Sequence, residues 1–162
     1  MTVTDPRGFL SELFDCAVRA ADPRAAIAAH LPERPPGRTV VVGAGKAASA
    51  MAAGLEALWD GPLEGVVVDR HGEITPTRHV KVLQAAHPVP DNAGLAGSRA
   101  LLDAVRGLTA DDLVIALISG GGSSLLPMPG GGLSLEDEIA VNRALLDSGA
   151  PIGAMNVVRN HI

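Results

Sequence analysis

The chain has 162 residues, enough to bury one real core and too few for two large domains. Hydrophobic residues make up 47% of it but aromatics only 2%, which predicts alanine-rich helices laid closely on a valine-rich sheet. A net charge of −5 with no basic stripe gives no footprint for nucleic acid, and a single cysteine, Cys16, excludes a disulfide framework within the chain.

The first seven residues carry an acid and a proline and lead into no long apolar run. Neither a signal peptide nor a membrane span is expected, and the chain reads as soluble and cytoplasmic. Phe9, Leu13, Cys16, Ala17 and Ala20 fall on one face of a first helix, where Cys16 is expected as a small core residue. Asp22-Pro23 restarts a short second helix, with Asp22 as cap and Pro23 at its first position. Residues 31–38, with three prolines and a glycine, are a connector. A buried strand follows at 39–42 and an Ala- and Met-rich helix at 45–59. Strands are predicted at 65–69 and Val80–Ala85, and a helix capped by Asp91 at 91–106, with Leu95, Leu102 and Val105 on its apolar side. Six apolar residues, Leu113–Ile118, read as a further buried strand. After a Pro/Gly-rich loop at 127–132, Ser134 and Asp137 resemble a capping box for a helix at 135–146. Gly149 ends it, and 151–162 begins another.

Strands alternating with helices predict an α/β layer fold with a mostly parallel sheet. One link departs from the pattern. The residues between Asp69 and Val80 are too few for a helical crossover, so the third strand is expected to be antiparallel or to lie elsewhere.

Two glycine turns carry the candidate chemistry. The strand Leu113–Ile118 runs into Ser119-Gly120-Gly121-Gly122-Ser123-Ser124, where backbone N–H groups and hydroxyls suit a phosphate or carboxylate. The alternative is a flexible glycine turn between packed elements. After the first strand, Gly43, Gly45 and Ala48 fit a dinucleotide fingerprint, with Asp69 near the place of a ribose-binding acid. Lys46, read as projecting from the first turn of the helix, opposes its dipole unless an anion is present. The spacing is not that of a Walker A loop, because Val40 stands where glycine is required and Ala47 replaces Ser or Thr. Lys46 is either a charge that stabilises phosphoryl transfer or a solvated surface lysine. His87, in a loop stiffened by Pro88 and Pro90, is an acid, base or phosphate ligand, or else bonds its own loop. His71 and His79 show no metal-site spacing, and no metal ligand is assigned. Asn156 and Arg159 would share one side of a terminal helix.

Together the blocks Gly43-Ala44-Gly45-Lys46-Ala47-Ala48, His87-Pro88-Val89-Pro90-Asp91, Ile118-Ser119-Gly120-Gly121-Gly122-Ser123-Ser124 and Leu146-Asp147-Ser148-Gly149-Ala150 resemble the N-terminal domain of glycerate 2-kinases. These are the enzymes with a C-terminal MOFRL domain, often labelled hydroxypyruvate reductase. The closing Asn156-Val157-Val158-Arg159-Asn160-His161-Ile162 is similar to a family segment in which lysine is usual where Asn160 stands.

The resemblance implies a Rossmann-like three-layer fold, ATP and Mg2+ as cofactors, D-glycerate as substrate and 2-phosphoglycerate as product. It maps the family's lysine onto Lys46 as the catalytic residue. It makes Gly43, Gly45, His87, Arg159 and the turn Ser119, Gly120, Gly121, Gly122, Ser123 and Ser124 binding residues for phosphate or substrate. It divides the chain into a helical segment and connector (1–38) and part of the Rossmann-like domain (39–162), with the MOFRL domain absent. An uncovered cleft is then expected to expose apolar surface and favour a homo-oligomer. Two other readings stand beside it: an NAD(P)H-dependent hydroxypyruvate reductase using Gly43, Gly45, Ala48 and Asp69, and a non-catalytic sugar-phosphate-binding lobe.

Overall fold

The computed structural model describes residues 5–161. Met1 to Thr4, part of the segment read as free of a leader, and Ile162, at the end of the last expected helix, lie outside the described residues.

Two short helices, α1 (Pro6–Ala20) and α2 (Pro23–Ala28), precede the sheet. Asp5 and Asp22 cap them, accepting from Gly8 N at 3.0 Å and Arg24 N at 2.9 Å. The sheet has four strands: β1 (Thr39–Ala44), β2 (Glu64–Arg70), β3 (Val80–Ala85) and β4 (Leu113–Ile118). Their order is β3-β2-β1-β4, and every pairing is parallel. Helix α3 (Ala48–Leu58) joins β1 to β2, and α4 (Asn92–Ala104) joins β3 to β4. After β4 come the single turn α5 (Gly122–Leu125), then α6 (Leu135–Asp147) and α7 (Ile152–Arg159). The α/β class and parallel sheet agree with the sequence reading.

The pleat sorts the core into two layers. Val41, Val67 and Leu117 point to the face that packs Ala48, Ala52 and Leu55 of α3, and Ile27 of α2 joins them. Ala44, Val68 and Ala85 point to the opposite face, against Leu101 of α4 and Leu125 of α5. On α4 it is therefore Leu101 that packs inward, while Leu102 is exposed. Only the α3 side of β4 is covered: Leu117 is buried, but Val114 and Ile118 on the other side are exposed.

The third strand corrects the sequence reading: β3 lies parallel to β2, from Gly65 opposite Val80 to Arg70 opposite Ala85. An extended link replaces the crossover helix. It runs back along α3, where Thr75 N donates to Ser49 Oγ at 3.2 Å. The Glu56 carboxylate then accepts from the backbone N–H groups of Arg78, His79 and Val80 at 2.7–2.8 Å. One side chain thus satisfies three N–H groups in a row, so the link needs no helical hydrogen bonds of its own.

Cys16 is a second correction. It is exposed, and no residue of α1 is buried. The helix is amphipathic, as its pattern predicts, but among the described residues nothing covers the apolar face that carries Phe9 and Leu13. The expected exposed apolar surface is therefore present, on α1, on the outer face of β4, and on α7 at Ile152 and Val157. No helix among the described residues is long and apolar enough to cross a membrane.

Candidate functional site

In a sheet ordered β3-β2-β1-β4, α3 leaves β1 toward one side and α4 arrives at β4 from the other. The two chain turns after β1 and β4 therefore part at one point, where open α/β sheets form a crevice. Both glycine turns sit there.

Their backbones are laced together. Lys46 N donates to Gly120 O at 2.9 Å, and Ser119 N donates to Ala44 O at 3.0 Å. Ser119 Oγ accepts from Ala47 N at 3.1 Å. Gly45 makes this fit possible, with φ of +138° and a position where an added Cβ would overlap Ser119 Oγ. Gly43 is buried one register step below, facing Leu117 across the β1–β4 pair.

Helix α3 begins at Ala48, later than the sequence suggests. Lys46 thus stands in the turn before the helix and not in its first turn, with an exposed side chain. The N–H groups at the start of α3 are already occupied. Ala47 N is bonded to Ser119, and Ser49 N donates to Asp69 Oδ2 at 2.9 Å. Asp69 is 3% exposed and also accepts from Ser49 Oγ at 2.6 Å, while its other oxygen accepts from Arg70 N at 2.8 Å. The acid at the end of β2 therefore caps α3 and does not face a ribose site. The dinucleotide fingerprint is present as a string of residues, yet its helix terminus is filled by the protein's own side chains.

The turn after β4 remains open. Gly121 has φ of +92°, and among the described residues the N–H groups of Gly120, Gly121 and Gly122 donate to no protein acceptor. Lys46 and His87 flank it: a methyl on Gly121 would lie 3.3 Å from both Lys46 Cγ and His87 Cε1. The loop after β3 delivers His87, and Asp91 at its end caps α4 through Gly94 N at 2.8 Å. His87 Nδ1 lies 2.6 Å from Ser124 Oγ, which lies 3.2 Å from Gly121 O. Partial burial, then the charges of Lys46 and Arg70, hold the His87 pKa below the ordinary histidine value. His87 is therefore pushed toward its neutral form by its surroundings. Arg70 was not singled out from sequence; its position next to Asp69 at the end of β2 was the available signal.

Ser124 also borders a second space. A cavity of about 230 Å3 lies between α5, α6 and α7, lined by Ser123, Ser124, Glu138, Asn142, Arg159 and Asn160 among others. Arg159 Nε donates to Asn142 Oδ1 at 2.8 Å, and Asn142 Nδ2 donates to Glu138 O at 3.0 Å. Arg159 thus joins the site through Asn142, whereas Asn156 stays exposed and outside it. Glu138 and Asn142 were missed. With Leu135 they occupy positions i, i+3 and i+7 of α6, the stripe where apolar residues are expected, so two polar residues on a buried face were a readable signal.

A family model described as a domain of unknown function, DUF4147, matches residues 9–162. A protein of Agrobacterium vitis named "Putative hydroxypyruvate reductase" is 54% identical over 157 residues, covering 96% of this chain and 36% of its own length. The D-glycerate 2-kinase of Thermotoga maritima is 39% identical over 153 residues, or 93% of this chain and 37% of the relative. A crystal structure of glycerate kinase from that organism superposes with a TM-score of 0.80 at 37% identity, over 93% of this chain and 37% of that one. The chain spans about a third of the length of the curated relatives it matches.

Proposed function

The chain belongs to the DUF4147 family, in the company of glycerate 2-kinases, and from that premise we propose that it forms the phosphate- and substrate-binding lobe of an ATP-dependent D-glycerate 2-kinase. The observation that supports this most is the meeting of Lys46, His87 and the open Gly120–Gly121–Gly122 backbone at one crevice. Phosphoryl transfer asks for positioning and charge stabilisation more than covalent chemistry, and this is what the crevice offers.

ATP supplies the transferred phosphoryl group. The free N–H groups of the turn after β4 and the Lys46 ammonium hold its oxygens and offset the charge that develops on them. His87 takes the proton of the glycerate 2-hydroxyl. The Gly121 carbonyl can only accept, so the Ser124 hydroxyl donates to it and Nδ1–H donates to Ser124. This tautomer leaves the Nε2 lone pair for the substrate. The bond from the γ-phosphorus to the bridging oxygen of the leaving ADP breaks as the bond from that phosphorus to the glycerate 2-oxygen forms, giving ADP and 2-phosphoglycerate with the hydroxyl proton on His87. Among the described residues no three His, Cys, Asp or Glu side chains gather. Mg2+, when bound, would offset charge on the phosphate oxygens, and no step is assigned to it. A cytoplasmic setting agrees with ATP as donor.

The reductase reading needs Asp69 for the ribose, and Asp69 is engaged by Ser49. The deciding experiment measures ADP formation from Mg-ATP and D-glycerate by the purified chain, with Lys46→Ala alongside and NADH oxidation by hydroxypyruvate in parallel. Glycerate-dependent ADP release lost in Lys46→Ala is the expected result. NADH oxidation in place of ADP release overturns the proposal.

A further inference from the structure

The cavity between α5, α6 and α7 holds a side chain that the protein leaves unfinished. Glu138 is 9% exposed, and its Oε2 is buried with no hydrogen-bond partner. A buried carboxyl oxygen without a partner is costly, and replacing it with an apolar group removes that cost. It borders a cavity that also presents Arg159, whose Nε is fixed by Asn142. With Nε committed, the terminal N–H groups of the guanidinium remain for a carboxylate, in the paired geometry that arginine favours. Asn142 spends its amide on Glu138 O and its oxygen on Arg159, so it acts as a positioning residue. At about 230 Å3 the space is below the ~300–1,000 Å3 of drug-sized pockets, which restricts the occupant to a few carbons.

We propose that this cavity is the acceptor subsite for a small hydroxy acid, in which Arg159 takes the carboxylate and Glu138 hydrogen-bonds a hydroxyl and selects for it. Burial raises the Glu138 pKa from its ordinary value, and its carboxyl oxygens offer acceptors for an alcohol. Arg159 supplies the positive charge in the lining that pairs with a carboxylate. Ser124 lines the cavity and is bonded to His87, so an occupant lies beside the crevice and not in an isolated pocket. The inference rests on the kinase reading and deepens it: Glu138 reads one of the two hydroxyls of glycerate, in a cavity that shares Ser124 with the crevice.

The test compares binding of D-glycerate and D-lactate, which lacks the 3-hydroxyl, to the purified chain by calorimetry. A site built around a hydroxyl rejects the analogue without it, so the chain should prefer D-glycerate by about tenfold or more. Glu138→Leu should bring that ratio close to one while leaving D-lactate affinity unchanged. Glu138→Gln, which keeps a donor and an acceptor, should retain most of the preference. Arg159→Met should weaken both acids together. The fluorescence melt of the single tryptophan checks that each variant folds, with Glu138→Leu expected at or above the parent.

An unchanged ratio in a folded Glu138→Leu overturns the proposal. So does a parent chain that binds neither acid, or one that loses D-glycerate through Lys46→Ala but not through Glu138→Leu. A Glu138-dependent ratio without ADP formation would retire the kinase and keep the cavity. ADP formation with a ratio indifferent to Glu138 would do the reverse.

Discussion

Asp69→Ala separates a structural acid from a cofactor-binding one. In the folded protein the carboxylate is 3% exposed and holds Ser49 through N–H at 2.9 Å and hydroxyl at 2.6 Å. Removing it leaves two buried donors unpaired at the start of α3. Each hydrogen bond to a carboxylate contributes ~1.5–3 kcal/mol, and the negative charge near the helix N-terminus adds ~0.3–1 kcal/mol. A loss of about 3–7 kcal/mol is expected, a large share of the ~5–15 kcal/mol of a typical domain. Asp69→Asn keeps one acceptor oxygen and should lose about 1–2 kcal/mol. Urea unfolding followed by Trp59 fluorescence reads this directly, since the only tryptophan packs against the core that α3 forms. Ser49→Ala closes the double-mutant cycle and should remove much of the Asp69→Ala effect. An Asp69→Ala loss below ~1 kcal/mol would refute the reasoning. So would NADH binding that disappears in Asp69→Ala at unchanged stability.

Four other outcomes follow from the same geometry. Lys46→Ala should lower glycerate-dependent ADP formation by about 10²–10³ with an unchanged melting curve, since the side chain is exposed. Because the charges of Lys46 and Arg70 add to burial in depressing His87, its imidazole should titrate below the usual histidine value by NMR, and Lys46→Ala should move it upward. With the folded pKa depressed, the unfolded chain binds the proton first, so this group supports the fold above the ordinary histidine value and withdraws that support as pH falls. Glu138 has the opposite sign: its pKa is raised, so its cost to stability grows as pH rises from the ordinary carboxylate value, and Glu138→Leu should flatten that part of the pH–stability curve. Gly45→Ala should destabilise by more than ~1 kcal/mol, because φ is +138° and the new Cβ meets Ser119. Its urea midpoint should fall in the same assay.

What could be read from sequence was local. Asp22-Pro23, Ser134 with Asp137 and the apolar run Leu113–Ile118 carry their geometry in a few adjacent residues, and the structure forms each element, although the expected buried strand is covered on one face only and exposes Val114 and Ile118. The glycine turns were recognisable because strand endings and serines lie side by side in the chain. The direction of β3 was not legible, since it depends on Glu56 reaching the link from a helix more than twenty residues away. The start of α3 was misplaced for a similar reason: Ser119 and Asp69 come from other strands to satisfy it. Cys16 shows the limit of periodicity, which identifies an apolar face but not what covers it.

The Glu56 clamp reaches further than the link it holds. It grips the chain at Val80, where β3 begins, and His87 stands two residues beyond the end of the same six-residue strand, roughly 20 Å long. The strand lies at the rim of the sheet, paired only to β2 among the described residues. Such a rim is the natural place for opening short of global unfolding, visible as amide exchange in β3 ahead of β1. The three N–H groups outweigh burial and hold Glu56 below the usual carboxylate range, so the clamp keeps its charge while ordinary carboxylates are protonated and loosens only in stronger acid. The strand then behaves as a lever whose anchored end is remote from the crevice and whose free end carries the histidine. Substitutions at Glu56 would tune how long His87 stays in register with Ser124, a form of control by residence time that leaves every group in the crevice unchanged.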